Sequence, residues 1–318
     1  MFLAKKRFLI LKIVIALLAY AFVAYRVYDQ GFPKFKLATQ LEGVNLMLLF
    51  LVIVLMFINW LLEAVKWKRS LRGIQSISLR QAIGTALYGA SVGLLTPNRI
   101  GDPIGRVALL DTKNKPQAAI AAVQCALAQQ LATIAFGFLG LCVLIDYGLF
   151  EQYFRNPLVI ISLAVSLVIV FVILFKRSFV LTVLSRFPVF KKVKFKEVLS
   201  NDNSSSKIPA IILLSFLRYT IFTTQFVLML YVLGFNSEVT IAYALVFATY
   251  LFASLVPVLS IADAGVRSGF AVVIIGAFWN NPVGIALAAH AIWILNVAVP
   301  ALIAAWFPFA KKSWLSND

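Results

Sequence analysis

The stretch "GLLTPNRIGDPIGRVALL", Gly93 to Leu110, puts two prolines, three glycines, two arginines and an aspartate at the end of an apolar segment. Proline lacks a backbone N–H and its ring clashes with the preceding turn, so a helix running through "AIGTALYGASVGLL" breaks near Thr96 or Pro97. Broken backbone at membrane depth is tolerated only where it is buried in protein or lines an aqueous cavity. Whether this stretch marks a site therefore depends on whether the chain lies in a bilayer.

Composition answers that. Of 318 residues, 62% are hydrophobic and only 13% charged, well outside the range of soluble globular domains. Several apolar stretches reach the roughly 20 residues that cross a hydrocarbon core of about 30 Å. The first, "FLILKIVIALLAYAFVAY", follows Lys5, Lys6 and Arg7 but has no small-residue cleavage site, and so reads as a membrane helix rather than a signal peptide.

A formal charge of +17 in a soluble chain would raise the question of nucleic acid. Here the basic residues fall in blocks: Lys5 to Lys12, Lys66 to Arg80, Lys176 to Lys207, and Lys311 with Lys312. The alternate connections, "RVYDQGFPKFKLATQLE", "DYGLFEQYFR" and "GFNSEV", are balanced or acidic. The positive-inside rule places the basic blocks in the cytoplasm. Spans at about 8–27, 44–65, 118–145, 157–175, 208–233 and 283–307 fit this alternation and leave both termini cytoplasmic. Two apolar regions, about 82–117 and 241–279, must then each return to the side they left. The predicted fold is an all-α polytopic membrane protein with six full spans and two re-entrant or broken-helix hairpins. The chain reads as one integral membrane domain, 1–318, with repeat halves of about 1–150 and 151–318. The basic loop at about 176–207 is cytoplasmic, either set by topology alone or attracted as an interfacial element to anionic headgroups.

The opening pattern has a second copy in "LVPVLSIADAGVRSGF", Leu255 to Phe270. Pro97 precedes Asp102 by five and Arg106 follows by four; Pro257 precedes Asp263 by six and Arg267 follows by four. Each Asp–Arg pair shares a helix face. Each either neutralises itself and pins a hairpin or takes part in binding, and both roles are compatible. Gly101, Gly105 and Gly265 would permit close backbone approach or unusual turns around the breaks at Pro97 and Pro257. Two interrupted segments in corresponding places, oppositely oriented, point to an inverted-repeat transporter with its site at the repeat interface.

Further charges lie where lipid disfavours them. Arg218 is about ten residues into "IILLSFLRYTIFTTQFVLML", too deep to snorkel, and needs a partner or a wet cavity. Glu63, in "INWLLEAVKWKRSL", is placed to pair with Lys66 on the next turn or with an arginine. Gln124, Gln129, Gln130 and Gln225 either join helices or line a polar path. The lone His290 reads more readily as an interhelical donor than as a proton relay, and with Cys125 and Cys142 it supplies no metal-ligand set. No cofactor, metal or catalytic residue is predicted.

These segments, "NWLLEAVKWKRSL", "LLTPNRIGDPIGRVALL", Arg218 to Gln225 and "SLVPVLSIADAGVRSGF", resemble the integral membrane region of lysylphosphatidylglycerol synthases, a flippase-like family, from the first helix to about Trp306. The resemblance implies a multi-pass protein of a bacterial or archaeal inner (plasma) membrane that handles lipids or lipid-linked headgroups. Bifunctional members carry a soluble aminoacyl-transferase domain after the membrane region; this sequence stops at Asp318, which predicts the translocation half without that enzyme. The family pattern has a glycine-rich turn after the second proline and an acid directly after the second arginine, where this chain has "VLSIAD" and Ser268.

The function expected is a lipid translocase. Arg99, Arg106, Arg218 and Arg267 would bind the phosphate of an anionic or lipid-linked headgroup, with Asp102, Asp263 and Glu63 as partners of the empty site. The planar guanidinium fork suits phosphate. The alternative is a membrane-embedded transferase, or an accessory scaffold for a partner glycosyltransferase or lipid-modifying enzyme; no HExxH or Walker pattern supports the enzyme.

Overall fold

The structure is a computed structural model that describes residues 45–96, 99, 101–112, 114–148, 207–256 and 262–305, with parts of 14–28 and 161–169. All the described residues within 14–28 and 161–169 are helical. The predicted spans at 8–27 and 157–175 fall largely outside the description, as do Pro97, Pro257 and most of the basic loop. Among the described residues there is no strand.

The helices are α1 (Leu46–Ser70), α2 (Leu79–Leu94), α3 (Gly101–Ala108), α4 (Lys115–Asp146), α5 (Ile208–Val232), α6 (Val239–Leu255), α7 (Asp263–Ile274), α8 (Pro282–Trp293) and α9 (Val299–Ala305). Among the described residues, four segments are long and apolar enough to cross a bilayer: α1, α4, α5 and the continuous run Pro282–Ala304. The protein is an all-α polytopic membrane protein.

Local sequence starts these helices where they begin. Asn45 accepts from the Met47 and Leu48 amides ahead of α1. Ser78 and Gln81 form a reciprocal capping box at α2. Asn281 accepts from the Gly284 amide at α8, and α4 and α8 carry proline in their first turn, where no N–H is needed. The last span is not uniform, because residues Ile294–Ala298 form a π segment. Pro300 cannot donate to the carbonyl four residues back, and the ladder widens just ahead of it.

The two regions predicted as hairpins are each a helix, a break and a second helix. At 16 and 17 residues, α2 and α6 extend roughly 24–26 Å, short of a full crossing. The ends of the bundle show where they return. Lys66 of α1 approaches Gln129 of α4 at 3.5 Å and Ser70 lies against Cys125, so α1 and α4 are antiparallel, and the α2–α3 pair leaves and re-enters at one end. In the second half, Phe235 beyond α5 meets Trp279 ahead of α8, ring centroids 5.6 Å apart, so α6–α7 leaves and returns at one end too. That end is the opposite one. Lys207 donates to the Arg72 carbonyl at the basic end, and Tyr147 donates to Glu238 at 3.0 Å at the other.

Long, short, short, long is thus the order in both halves. The pairings repeat with it: α2 on α3 and α6 on α7, α4 on α6 and α9 on α2, α3 on α4 and α7 on α8. The corresponding α1 and α5 pack side by side and run antiparallel, since Gln225 donates to the Val52 carbonyl at 2.9 Å while Arg218 meets Glu63. Equivalent helices of opposite direction are the geometry of an inverted repeat. One apolar core joins α4 to α8 and a second joins α1, α2 and the start of α4. Both touch Phe216.

Candidate functional site

Between the two cores lies a cavity of about 510 Å³. The sequence motifs converge on it from both halves. Glu63, Arg99, Asp102, Arg106, Arg218, Asp263 and Arg267 all line it, together with Lys66 and Gln129.

The first-half cluster is centred on Glu63, whose side chain is 3% exposed. Its Oε2 faces Lys66 Nζ at 2.8 Å, and its Oε1 accepts from Arg106 Nη1 at 2.7 Å. Arg218 Nε stands 3.2 Å from Oε2, an ion pair whose alignment is too poor for a hydrogen bond. Arg106 also forks onto Asp102, with Nε on Oδ1 and Nη2 on Oδ2 at 3.1 Å, and its guanidinium lies over the Trp67 ring, 5.6 Å from the centroid. Trp67 is held in turn by donating to Thr85 at 3.0 Å. Gln129 completes the cluster, its Oε1 accepting from Arg218 Nη1 at 3.0 Å and from Lys66 at 3.5 Å.

The second-half cluster is simpler. Arg267 donates through Nε to Asp263 Oδ1 at 2.8 Å, pairs through Nη2 with Oδ2 at 2.8 Å, and lies over the Tyr250 ring at 5.4 Å. The two Asp–Arg pairs are the same motif built twice: an acid in the first turn, where the helix end favours negative charge, an arginine one turn on, and an aromatic ring beneath it. Their surroundings differ. Arg106 is 8% exposed and held by two acids, whereas Arg267 is 23% exposed and held by one.

Arg99 stands in the break between α2 and α3 with φ of 55°, a left-handed conformation that non-glycine residues adopt rarely. Its guanidinium has no ion pair or hydrogen bond to a described residue, although Asp102, Arg218, Asp263 and Arg267 are all close enough to act on it electrostatically.

Close approach explains the glycines. A Cβ on Gly105 would lie 2.9 Å from the Gly89 Cα, and one on Gly89 would lie 2.7 Å from Asp102 Oδ1. The α2–α3 crossing therefore requires both. Gly265 abuts Tyr20, whose ring would stand 2.8 Å from a Cβ there, and Gly101 donates its amide to Thr96 Oγ1 at 2.8 Å where α3 begins.

Other polar residues sort themselves by position. Gln130 lines the cavity and donates to Ser254 at 3.1 Å. Gln124 and Gln225 are buried outside the lining, Gln225 as a helix-to-helix donor. His290 Nδ1 lies 2.8 Å from the Ala286 carbonyl on its own helix, also away from the cavity. Ser268 is fully buried and outside the lining, so Asp263 is the acid of its half. Sequence reasoning did not reach Gly89 or Tyr250, did not tie Trp67 to Arg106, and took Lys66 only as a partner for Glu63. The Asn59–Asn296 bond, 2.8 Å and buried, also lines the cavity beside the π segment. A lysine fully buried two residues before Lys68 and Arg69 carries no signal in a single sequence that separates it from them.

A family model described as "Lysylphosphatidylglycerol synthase TM region" matches residues 9–305. No curated protein matches.

Proposed function

We propose that this chain, which belongs to the lysylphosphatidylglycerol synthase TM region family, translocates a lipid whose phosphate is held in the cavity between its two halves. The family ties it to membrane lipids; the cavity supplies the finer reading. The observation that carries it is the convergence of both Asp–Arg motifs and Arg218 on one cavity. Arginines at membrane depth are costly unless they are paired or solvated, and here acids pair Arg106, Arg218 and Arg267. A headgroup phosphate entering the cavity competes with Asp263 for the fork of Arg267, offering the same bidentate geometry. The exchange of one anion for another leaves the arginine partnered throughout, so the barrier to binding and release stays low. We place the chain in the inner (plasma) membrane with the basic end cytoplasmic, in line with the charge blocks, and divide it into inverted halves near residue 150.

Leaflet exchange of a fluorescent anionic phospholipid in proteoliposomes tests the reading. Wild type should accelerate exchange, and Arg106→Gln and Arg267→Gln should abolish it while remaining folded. Wild-type exchange unaffected in both variants would remove the arginines from the mechanism; no exchange with any headgroup would shift the reading to a scaffold or transferase.

A further inference from the structure

The described residues of the cavity lining are not electrically balanced. Among the described residues, its lining carries five cations, Lys66 and the four arginines already described, against three acids, an excess of two positive charges. Each acid is already committed: Glu63 to three cations, Asp102 to Arg106 and Asp263 to Arg267. Among the described residues Arg99 has no such partner, and it is held in an uncommon backbone conformation within electrostatic reach of both clusters. Uncompensated charge in a low-dielectric interior is unfavourable, so the occupant that best completes this cavity carries charge −2.

Resting on the reading of the cavity as a phosphate site, we infer that it selects a phosphate group bearing two negative charges, a phosphomonoester, over the singly charged phosphodiester and over headgroups with an added cation. A monoester presents three terminal oxygens where a diester presents two. The third oxygen gives Arg99 an acceptor while Arg267 and Arg218 hold the others. An aminoacylated headgroup would bring further positive charge to a cavity that already has an excess. A lipid phosphomonoester and inorganic phosphate share this chemistry, and the test separates them.

The purified full chain in nanodiscs of neutral phosphatidylcholine is titrated at pH 8, where a monoester with second pKa of about 6 is doubly ionised. Dioleoyl phosphatidate, dioleoyl phosphatidylglycerol and inorganic phosphate are compared by the midpoint of ligand-induced thermal stabilisation, and acyl-labelled forms of the two lipids are compared in the exchange assay. One additional charge-assisted hydrogen bond corresponds to about tenfold to a hundredfold in affinity, so phosphatidate should bind at least about tenfold more tightly than phosphatidylglycerol. Arg99→Gln should reduce that ratio to about two- or threefold, with the ligand-free unfolding temperature unchanged. Equal affinities, or a ratio that Arg99→Gln leaves intact, would overturn the selectivity while exchange of both lipids preserved the translocase. Absence of exchange and of binding would overturn both. Inorganic phosphate binding as tightly as phosphatidate would support the doubly charged group and assign it to the soluble ion.

Discussion

Glu63→Gln isolates the electrostatic centre of the site. The carboxylate is nearly inaccessible and faces Lys66 at 2.8 Å, Arg106 at 2.7 Å and Arg218 at 3.2 Å. The amide keeps the shape and removes the charge. Breaking a buried ion pair by removing one partner costs about 3–5 kcal/mol, most of it the penalty of the stranded charge. Two of the three cations retain support, Arg106 on Asp102 and Arg218 on Gln129. Lys66 is left with only the 3.5 Å contact to Gln129. The loss should therefore lie at the low end, about 3 kcal/mol, which at about 2 °C per kcal/mol for a chain this long lowers the unfolding temperature by roughly 6 °C. Intrinsic tryptophan fluorescence on heating in detergent reads it directly. Glu63→Gln/Lys66→Met, which also removes the stranded ammonium, should recover more than half of the loss. A single variant within about 1 °C of wild type, or a double variant less stable than the single, would refute the assignment of Glu63 as the counter-charge of this cluster.

Three further outcomes follow from the packing. Gly89→Ala forces a Cβ to within 2.7 Å of Asp102 Oδ1 and should cost about 1–3 kcal/mol by overpacking, read as a lowered unfolding temperature, whereas Gly269→Ala, with nothing within 4 Å of its Cβ, should be neutral or stabilising because alanine favours helix. A double-mutant cycle of Asn59→Ala and Asn296→Ala should give a coupling of about 0.5–1.5 kcal/mol for their 2.8 Å bond; zero coupling would mean that the bond does not hold α1 to the π segment. Maleimide should modify one cysteine per folded chain, the exposed Cys142, and reach the buried Cys125 only after denaturation; two adducts on the folded protein would contradict the packing of α4.

What could be read in advance was whatever is local along the chain. Proline, the Asp–Arg spacing and the alternation of charge lie within a few residues of one another. They placed both breaks, both ion pairs and the two opposite hairpins, and the helices do end at Leu94 and Leu255. Arg218 was legible as a residue in need of a partner because desolvation of a charge is a one-body cost. Its partners were not, since Glu63 and Gln129 lie on helices far away in sequence and meet it only through the packing of α1, α4 and α5. Gly89 and the rings beneath the arginines were missed for the same reason. The π segment was hidden within an uninterrupted apolar run, although Pro300 was the available sign.

The two halves match in architecture but not in charge, and that difference predicts different behaviour for their arginines. Helices α1 and α5 are both 25 residues long, and aligning them end to end puts Gln225 where α1 has Glu63. The second half has no acid at that position to add to Asp263, and Gln225 is turned instead to the Val52 carbonyl. On the proposed reading Arg106 is therefore the more tightly held cation of the site, while Arg267, with one acid and greater exposure, is the one freer to trade partners. Arg→Lys substitution separates these roles, because lysine keeps the charge and loses the planar fork. Arg106→Lys, which must satisfy both Asp102 and Glu63 from one ammonium, should lower the unfolding temperature more than it slows lipid exchange. Arg267→Lys should leave the unfolding temperature within about 2 °C of wild type, equivalent to roughly 1 kcal/mol or less, and slow exchange at least about tenfold, the worth of one charge-assisted hydrogen bond. If the two variants changed places, the mobile cation would be Arg106, and phosphate would have to displace two carboxylates rather than one.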